Sequence, residues 1–322
     1  MSLHVIVGAG AVGSATARLL ADRGDRVRLV SRHGSGPRHD RIEPVAADAS
    51  DAAALRDLAT GAAALYNCAN PPYHRWHIDW PPLAAAILAA AEATGAVLVT
   101  AANLYGYGPV DVPMTEQLPL RPTTVKGRVR AKMWQDALAA HRAGRARVTE
   151  ARSSDYLGAG AKSMLAERVL PSVLAGKRAL VPADLDAPHS WTYLGDVART
   201  LVVLATDERA WGAPWHVPSA PAASIREMAS RAAELAGAPP PRLAPMPEPV
   251  LRLGGWFSPE ARAFREMRYQ FQRPFILDST AVTKTFGITP TPLDEALRSW
   301  RRERARTGGQ PVRVYSDEPV GS

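Results

Sequence analysis

A doubly wound parallel α/β sheet with a smaller C-terminal lobe is the fold predicted for this chain of 322 residues. Three observations predict it. Strand-like and helix-like runs alternate through the first half, the pattern that builds βαβ units. A glycine-rich turn joins the first strand to the first helix. After about residue 152, proline becomes frequent and the runs shorten.

The first run, LHVIV at residues 3–7, is apolar without alternation, as a strand covered on both faces must be. Gly8-Ala9-Gly10-Ala11-Val12-Gly13 follows, then a segment of helical periodicity. Strand, G-x-G-x-x-G and helix together are the setting of a dinucleotide site. Gly8 permits the tight turn, Gly10 lets a pyrophosphate approach the backbone, and Gly13 lets the helix pack on the strand. Ala11 and Val12 stand at the helix N-terminus, whose unpaired N–H groups and dipole favour phosphate.

Further strands are expected at residues 26–31, 42–46, 63–69, 96–101 and 146–151, and helices at 12–23, 51–60, 82–94 and 125–143. Residues 1–151 form the dinucleotide-binding core on this reading. Residues 152–306 form mainly a substrate-binding lobe that returns to the core, with helices at 161–175, 196–206, 224–236 and 291–305. Loops are expected at 238–241 and 245–249, and a disordered tail at 307–322.

At the end of the second strand, an acidic residue would bind the adenosine ribose of NAD. Ser31 and Arg32 stand there instead. A hydroxyl and a guanidinium suit a 2′-phosphate, so NADP(H) is favoured over a merely solvated Arg32. His33, Arg38, His39 and Arg41 add positive charge nearby. Asp48 is placed to accept from the adenine amino group, although Asp48 and Asp51 also read as helix N-caps. Ala69 and Asn70, closing the fourth strand, are counted with the cofactor positions.

A formal charge of +8 raises nucleic acid as a partner, but the arginines are dispersed and no basic-aromatic module appears, so that class is set aside. With one cysteine, Cys68, no intrachain disulfide is available. No long uncharged apolar run and no leader are seen, which fits a cytoplasmic location; the expected state is a monomer or a homodimer, between which the sequence does not choose. His74 and His77, three apart without a carboxylate or thiol partner, make a poor metal site.

Several segments beyond the glycine turn resemble the extended short-chain dehydrogenase/reductases, the NAD-dependent epimerase/dehydratase group, over nearly the whole chain. They are Leu104-Tyr105-Gly106, Asp155-Tyr156-Leu157-Gly158, Trp191-Thr192-Tyr193-Leu194-Gly195-Asp196-Val197-Ala198 and Gly287-Ile288-Thr289-Pro290 with the helix after it. The resemblance implies a Rossmann core and a tetrad in which Ser/Thr orients a carbonyl, Tyr exchanges a proton and Lys, four residues on, supports the Tyr. Aligned on Leu104-Tyr105-Gly106, the Ser/Thr position falls on Ala101, with Thr100 and Asn103 beside it. The Tyr and Lys positions fall on Lys126 and Arg130.

The tetrad is therefore missing. Arg130 suits the nicotinamide ribose but stays protonated. Lys126 serves as an acid only if burial and Arg130 lower its pKa; otherwise it is a solvated or phosphate-contacting residue. Thr100, Asn103, Lys126 and Arg130 are the catalytic candidates, and Ser154 joins Arg130 at the nicotinamide end. Tyr73, Trp76, Tyr105, Tyr156 and Trp191 are the candidate substrate wall. Other aromatics, Trp80, Trp256, Phe257, Phe264, Tyr269 and Phe271, read as wall or core. The chain is similar to angucyclinone ketoreductases that lack the tetrad. That likeness implies an NADPH-dependent ketoreductase acting on a polycyclic aromatic polyketide, with the proton supplied by the substrate's own phenol. A sugar-nucleotide epimerase, another oxidoreductase and a non-enzymatic NADP(H) sensor are the alternatives.

Overall fold

The computed structural model describes residues 1–247, 249 and 259–306. Its strands are β1 (Leu3–Val7), β2 (Arg26–Ser31), β3 (Ile42–Ala46), β4 (Ala64–Asn67), β5 (Val97–Asn103), β6 (Val148–Ser153), β7 (Asp155–Leu157), β8 (Arg178–Val181), β9 (Trp191–Tyr193), β10 (Pro214–His216) and β11 (Arg242–Pro245). Its α-helices are α1 (Ala11–Asp22), α2 (Ala52–Ala59), α3 (Trp76–Thr94), α4 (Val125–Arg142), α5 (Leu170–Leu174), α6 (Leu194–Thr206), α7 (Ile225–Ala236), α8 (Pro259–Glu266), α9 (Thr280–Phe286) and α10 (Leu293–Arg306).

The central sheet runs β10-β6-β5-β4-β1-β2-β3, all parallel. From β1 the chain winds outward to β2 and β3, then returns to β4 and winds the other way. The reversal between β1 and β4 leaves a crevice at their carboxyl ends. Strand alternation feeds two cores. Ile6, Leu29, Tyr66, Val97 and Val99 pack on the α1 and α6 side. Val5, Val7, Leu65, Leu98 and Val148 pack on the α2, α3 and α4 side. Each such side chain, fully buried, contributes roughly 1.5–3 kcal/mol.

The first-half elements lie within a few residues of their expected places, except α3. Pro81 and Pro82 suggest a helix start at 82, yet the helix begins at Trp76. The carbonyls those prolines leave unbonded belong to exposed His77 and Ile78, and buried Trp76 and Trp80 anchor the early turns.

The predicted helix at 161–175 is instead a π-helical turn, Leu165–Val169, leading into α5. Pro171 has no N–H to close an α-turn there, and the turn widens. Strands β7 to β11 have three or four residues each, too short for a periodic signal. β10 returns to the central sheet, pairing Trp215 with Ala151. Pro245, expected in a loop, ends β11 beside Val181. Trp256, Phe257 and the tail from 307 lie outside the described residues. Among the described residues, no helix is long and apolar enough to cross a membrane.

Candidate active site

The glycine turn is built as its spacing requires. Gly8 has φ +104°, and a Cβ on it would stand 2.6 Å from the Cys68 carbonyl oxygen. A Cβ on Gly13 would stand 1.9 Å from the Gly8 carbonyl oxygen. A Cβ on Gly10 would meet nothing within 4 Å, although Gly10 is the N-cap of α1 and supplies no side-chain cap. The turn is thus crowded at two glycines and open at the third, on the side where the helix leaves its first N–H groups unpaired. Ala11 begins α1 on that open side, while the Val12 side chain is buried in the core and can offer only backbone.

At the position expected to meet adenosine, Ser31 is engaged by its own loop. Ser35 N–H donates to Ser31 Oγ at 3.0 Å. Asp48 accepts from Ser50 N–H at 2.9 Å and Ser50 Oγ at 2.7 Å; these bonds, aided by nearby Arg32, hold its carboxyl below the usual range. Asp51, not Asp48, caps α2, accepting from Ala53 and Ala54 N–H. Two of the basic residues expected nearby turn elsewhere. Arg41 Nη1 donates to the Gly24 carbonyl, and His39 pairs with Asp22, both at the far end of α1. Ala69 and Asn70 follow β4 beside the glycine turn, with Ala69 N–H donating to Asn67 Oδ1 at 3.3 Å.

Arg130, expected at the nicotinamide end, stands on α4 where α3 and the ends of β5 and β6 converge. Arg130 stacks its guanidinium over the rings of Trp80, at 4.4 Å, and Trp76, at 4.7 Å. Its Nε and Nη1 are buried without a hydrogen-bond partner, and burial lowers its pKa. Orphaned guanidinium nitrogens are costly. Together with the open Gly10 face, they fit a ligand that brings hydroxyl or phosphate oxygens, as a dinucleotide does.

Lys126 is buried, which overturns one of its three readings. It is 5% exposed, so it is not a solvated residue. Its Nζ lies 2.6 Å from Glu266 Oε2, its backbone N–H donates to Glu266 Oε1 at 3.0 Å, and the ammonium sits 4.6 Å over the Tyr73 ring. Glu266, at the end of α8 in the second lobe, was not among the candidates. No spacing signal links residues 140 apart.

Thr100 is also displaced from its expected role. Alternation along β5 turns it, with Leu98, toward α3 and α4, where it shares a separate cavity of about 680 Å³ with Asn67 and Glu150. Asn103 acts locally, its Oδ1 accepting from Tyr105 N–H at 3.2 Å.

Tyr73, Trp76 and Tyr105 form one aromatic wall. Ring centroids are 5.1 Å apart for Tyr73–Trp76 and 5.9 Å for Trp76–Tyr105, and Tyr73 OH donates to Tyr105 OH at 3.2 Å. Tyr156 OH lies 3.2 Å from Ser153 Oγ. Burial pushes all three phenols up, Tyr105 to about 12. Trp191 is corrected to a core residue, 4% exposed with its Nε1 donating to the Ala223 carbonyl. It supports His189, whose ring stacks on Phe271 at 4.9 Å. Both nitrogens of His189 meet acceptors, Gln270 O at 3.3 Å and Asp155 Oδ2 at 3.0 Å. Ser154, expected near the nicotinamide, is buried with its Oγ 3.4 Å from His189 Nε2.

A buried polar chain links β6 to β10. Arg152 donates to Glu150 Oε1 and to Tyr107 OH, each at 2.6 Å. Tyr107 OH and His216 Nε2 are 2.8 Å apart, and His216 Nδ1 is 2.8 Å from the Asp278 carbonyl oxygen. Burial pushes His216 down to about 4, so the ring is neutral at pH 7, accepting from Tyr107 and donating to Asp278.

The model of the NAD dependent epimerase/dehydratase family matches residues 4–216. No curated protein matches the chain. Solved structures share its fold over nearly its whole length. MoeE5 in complex with UDP-glucose and NAD is 21% identical, with a TM-score of 0.76 over 94% of this chain and 99% of that one. The UDP-glucose 4-epimerase of Thermotoga maritima, bound to UDP-glucose, is 16% identical, with a TM-score of 0.78 over 95% and 99%. A double mutant of DesIV, the dTDP-glucose 4,6-dehydratase of Streptomyces venezuelae, is 20% identical, with a TM-score of 0.72 over 95% and 98%.

Proposed function

Since the chain belongs to the NAD-dependent epimerase/dehydratase family, we propose that it is an NADPH-dependent ketoreductase whose substrate is a ketone on a polycyclic aromatic molecule. The observation that carries this reading is the placement of Lys126. Where a proton-exchanging tyrosine would stand on α4, its ammonium is paired with Glu266 and approaches the face of Tyr73 rather than a phenol oxygen.

An epimerase first removes a proton from a sugar hydroxyl, which needs a base poised near neutral pH. The phenols of this cleft are buried and pushed upward, so they hold their protons. Such groups suit donation to a forming alkoxide, the direction of reduction. The Tyr73–Trp76–Tyr105 wall suits a flat aromatic substrate. Asp155 stands beside that wall, and its carboxylate disfavours a nucleotide diphosphate.

Gly8, Gly10 and Gly13 with the N-terminus of α1 would hold the pyrophosphate, Arg32 the 2′-phosphate and Arg130 the nicotinamide ribose. When bound, the reduced dinucleotide supplies hydride. The protein orients the ketone against the wall and leaves two sources for the proton: the substrate's own phenol or a group of the cleft.

The test is hydride transfer itself. Incubation with 4-deuterated NADPH and hydroxylated aromatic ketones is expected to place deuterium on the carbinol carbon, read by mass spectrometry. No transfer to any ketone, with conversion of UDP-glucose instead, would overturn this reading in favour of a sugar-nucleotide enzyme. Dinucleotide binding without turnover of either class would favour a sensor.

A further inference from the structure

Tyr73, Tyr105, Tyr156 and Tyr269 all bring phenols to the cleft, and their surroundings differ. The Tyr105 oxygen accepts from Tyr73 OH at 3.2 Å. The Asp155 carboxylate opposes its anion and the nearby Arg130 guanidinium favours it. Tyr73 has the opposite surroundings: its neighbours Tyr105, Asp155 and Glu266 all disfavour ionisation. The Tyr269 hydroxyl is buried without a partner, and at Tyr156 the Ser153 hydroxyl and Arg130 favour the anion while Cys68 and Asp155 oppose it. An acid is effective when its conjugate base is stabilised where it forms. Tyr105 is the one of these four phenols whose oxygen accepts from a second phenol, with the Arg130 cation nearby.

The backbone fixes that oxygen. Tyr105 begins a 3-10 turn directly after β5, and Asn103 Oδ1 accepts its N–H at 3.2 Å. Its ring leans on Trp76, which also carries Arg130. Because Tyr73 is the donor in the phenol pair, the hydrogen of Tyr105 is left to point to another acceptor.

We propose that Tyr105 is the catalytic acid, giving its proton to the carbonyl oxygen, and that Tyr73 stands behind it as the relay that restores that proton. This rests on the ketone-reduction reading above and replaces the substrate's phenol as the proton source. As hydride reaches the carbonyl carbon, the π pair moves onto oxygen. The Tyr105 O–H bond breaks and the alcohol O–H bond forms. The phenolate takes the Tyr73 proton as Tyr73 takes one from solvent, so that no charge rests on Tyr73 and the proton consumed is a solvent proton. The net change is ketone, reduced dinucleotide and a proton to alcohol and oxidised dinucleotide.

The test uses the full chain, NADPH and two probes, 8-hydroxy-1-tetralone and 8-methoxy-1-tetralone; the hydroxy ketone alone carries a proton beside its carbonyl. Tyr105→Phe keeps the ring and removes the acid. The expected result is a fall in kcat on the methoxy ketone of about 10²–10⁴-fold, with the NADPH dissociation constant, read by fluorescence, unchanged. Equal kcat for wild type and Tyr105→Phe on that ketone would overturn the assignment, as would a wild-type enzyme that reduces only the hydroxy ketone.

Reduction of neither ketone would instead overturn the reading of function. The phenol pair is then read without turnover, by ¹⁹F titration of protein labelled with fluorotyrosine. Tyr73→Phe is expected to move the Tyr105 resonance, assigned by its loss in Tyr105→Phe, to a higher titration midpoint. An unmoved midpoint would overturn the pair itself.

Discussion

Lys126 and Glu266 are joined at two points, ammonium to carboxylate at 2.6 Å and backbone N–H to carboxylate at 3.0 Å, and they tie α4 of the core to α8 of the second lobe. Burial alone would raise the Glu266 pKa, but the Lys126 hydrogen bonds outweigh it and hold the carboxyl below its usual value. The stabilisation is therefore complete above the unfolded carboxyl value near 4.5 and is lost as pH falls through the lower folded value.

Lys126→Met should lower stability by about 1–2 kcal/mol at pH 7, because it leaves a half-buried carboxylate unpaired. Urea denaturation measures this. The difference from wild type should shrink below pH 4.5 as Glu266 protonates. A variant as stable as wild type at pH 7 would show that the pair adds nothing to the join between the lobes.

Gly10→Ala and Gly13→Ala should separate folding from binding. The Gly13 methyl has to displace the Gly8 carbonyl, so thermal unfolding should shift downward by several degrees. The Gly10 methyl meets no protein atom within 4 Å, so Tm should hold while dinucleotide affinity falls about 10-fold or more. Equal dinucleotide affinity in Gly10→Ala and wild type would contradict the pyrophosphate placement.

Arg32→Ala should weaken NADPH about 10- to 100-fold, the worth of a charge-assisted hydrogen bond, and leave NADH nearly unchanged. Fluorescence titration with both cofactors decides it. A parallel loss for both would mean that Arg32 stacks on adenine rather than reading the 2′-phosphate.

His216 makes stability depend on pH in the opposite protonation sense to a paired histidine. Its folded pKa, about 4, lies below the unfolded value of 6.5, so between these the unfolded chain binds more protons. Stability should fall as pH drops from about 6.5 toward 4, by about 3 kcal/mol in total. His216→Asn should flatten that slope in urea titrations at successive pH values, although it costs stability at pH 7 by disturbing the bonds to Tyr107 and Asp278.

The glycine turn, the order of the first six strands and the residues around Arg130 were legible because each signal is local. An apolar run, a glycine at fixed spacing and a tyrosine after a strand need no distant partner to be read. The Lys126–Glu266 and His189–Asp155 pairs join segments 140 and 34 residues apart, and nothing in either segment announces the other. Arg130 reads as a ribose contact, but its place against Trp76 and Trp80 depends on α3 starting five residues before its first proline. Thr100 was misplaced by one step of strand alternation, which sends neighbouring side chains to opposite faces of the sheet.

Cys68 presses its backbone against Gly8, and its own thiol is buried, with a pKa pushed up to about 12. It is the one cysteine in the sequence. A thiol in that state reacts with maleimides only when the surrounding structure opens. The chain thus carries a native clock for its glycine turn: the labelling rate reports how often the turn breathes, and a bound dinucleotide should slow it without any engineered probe.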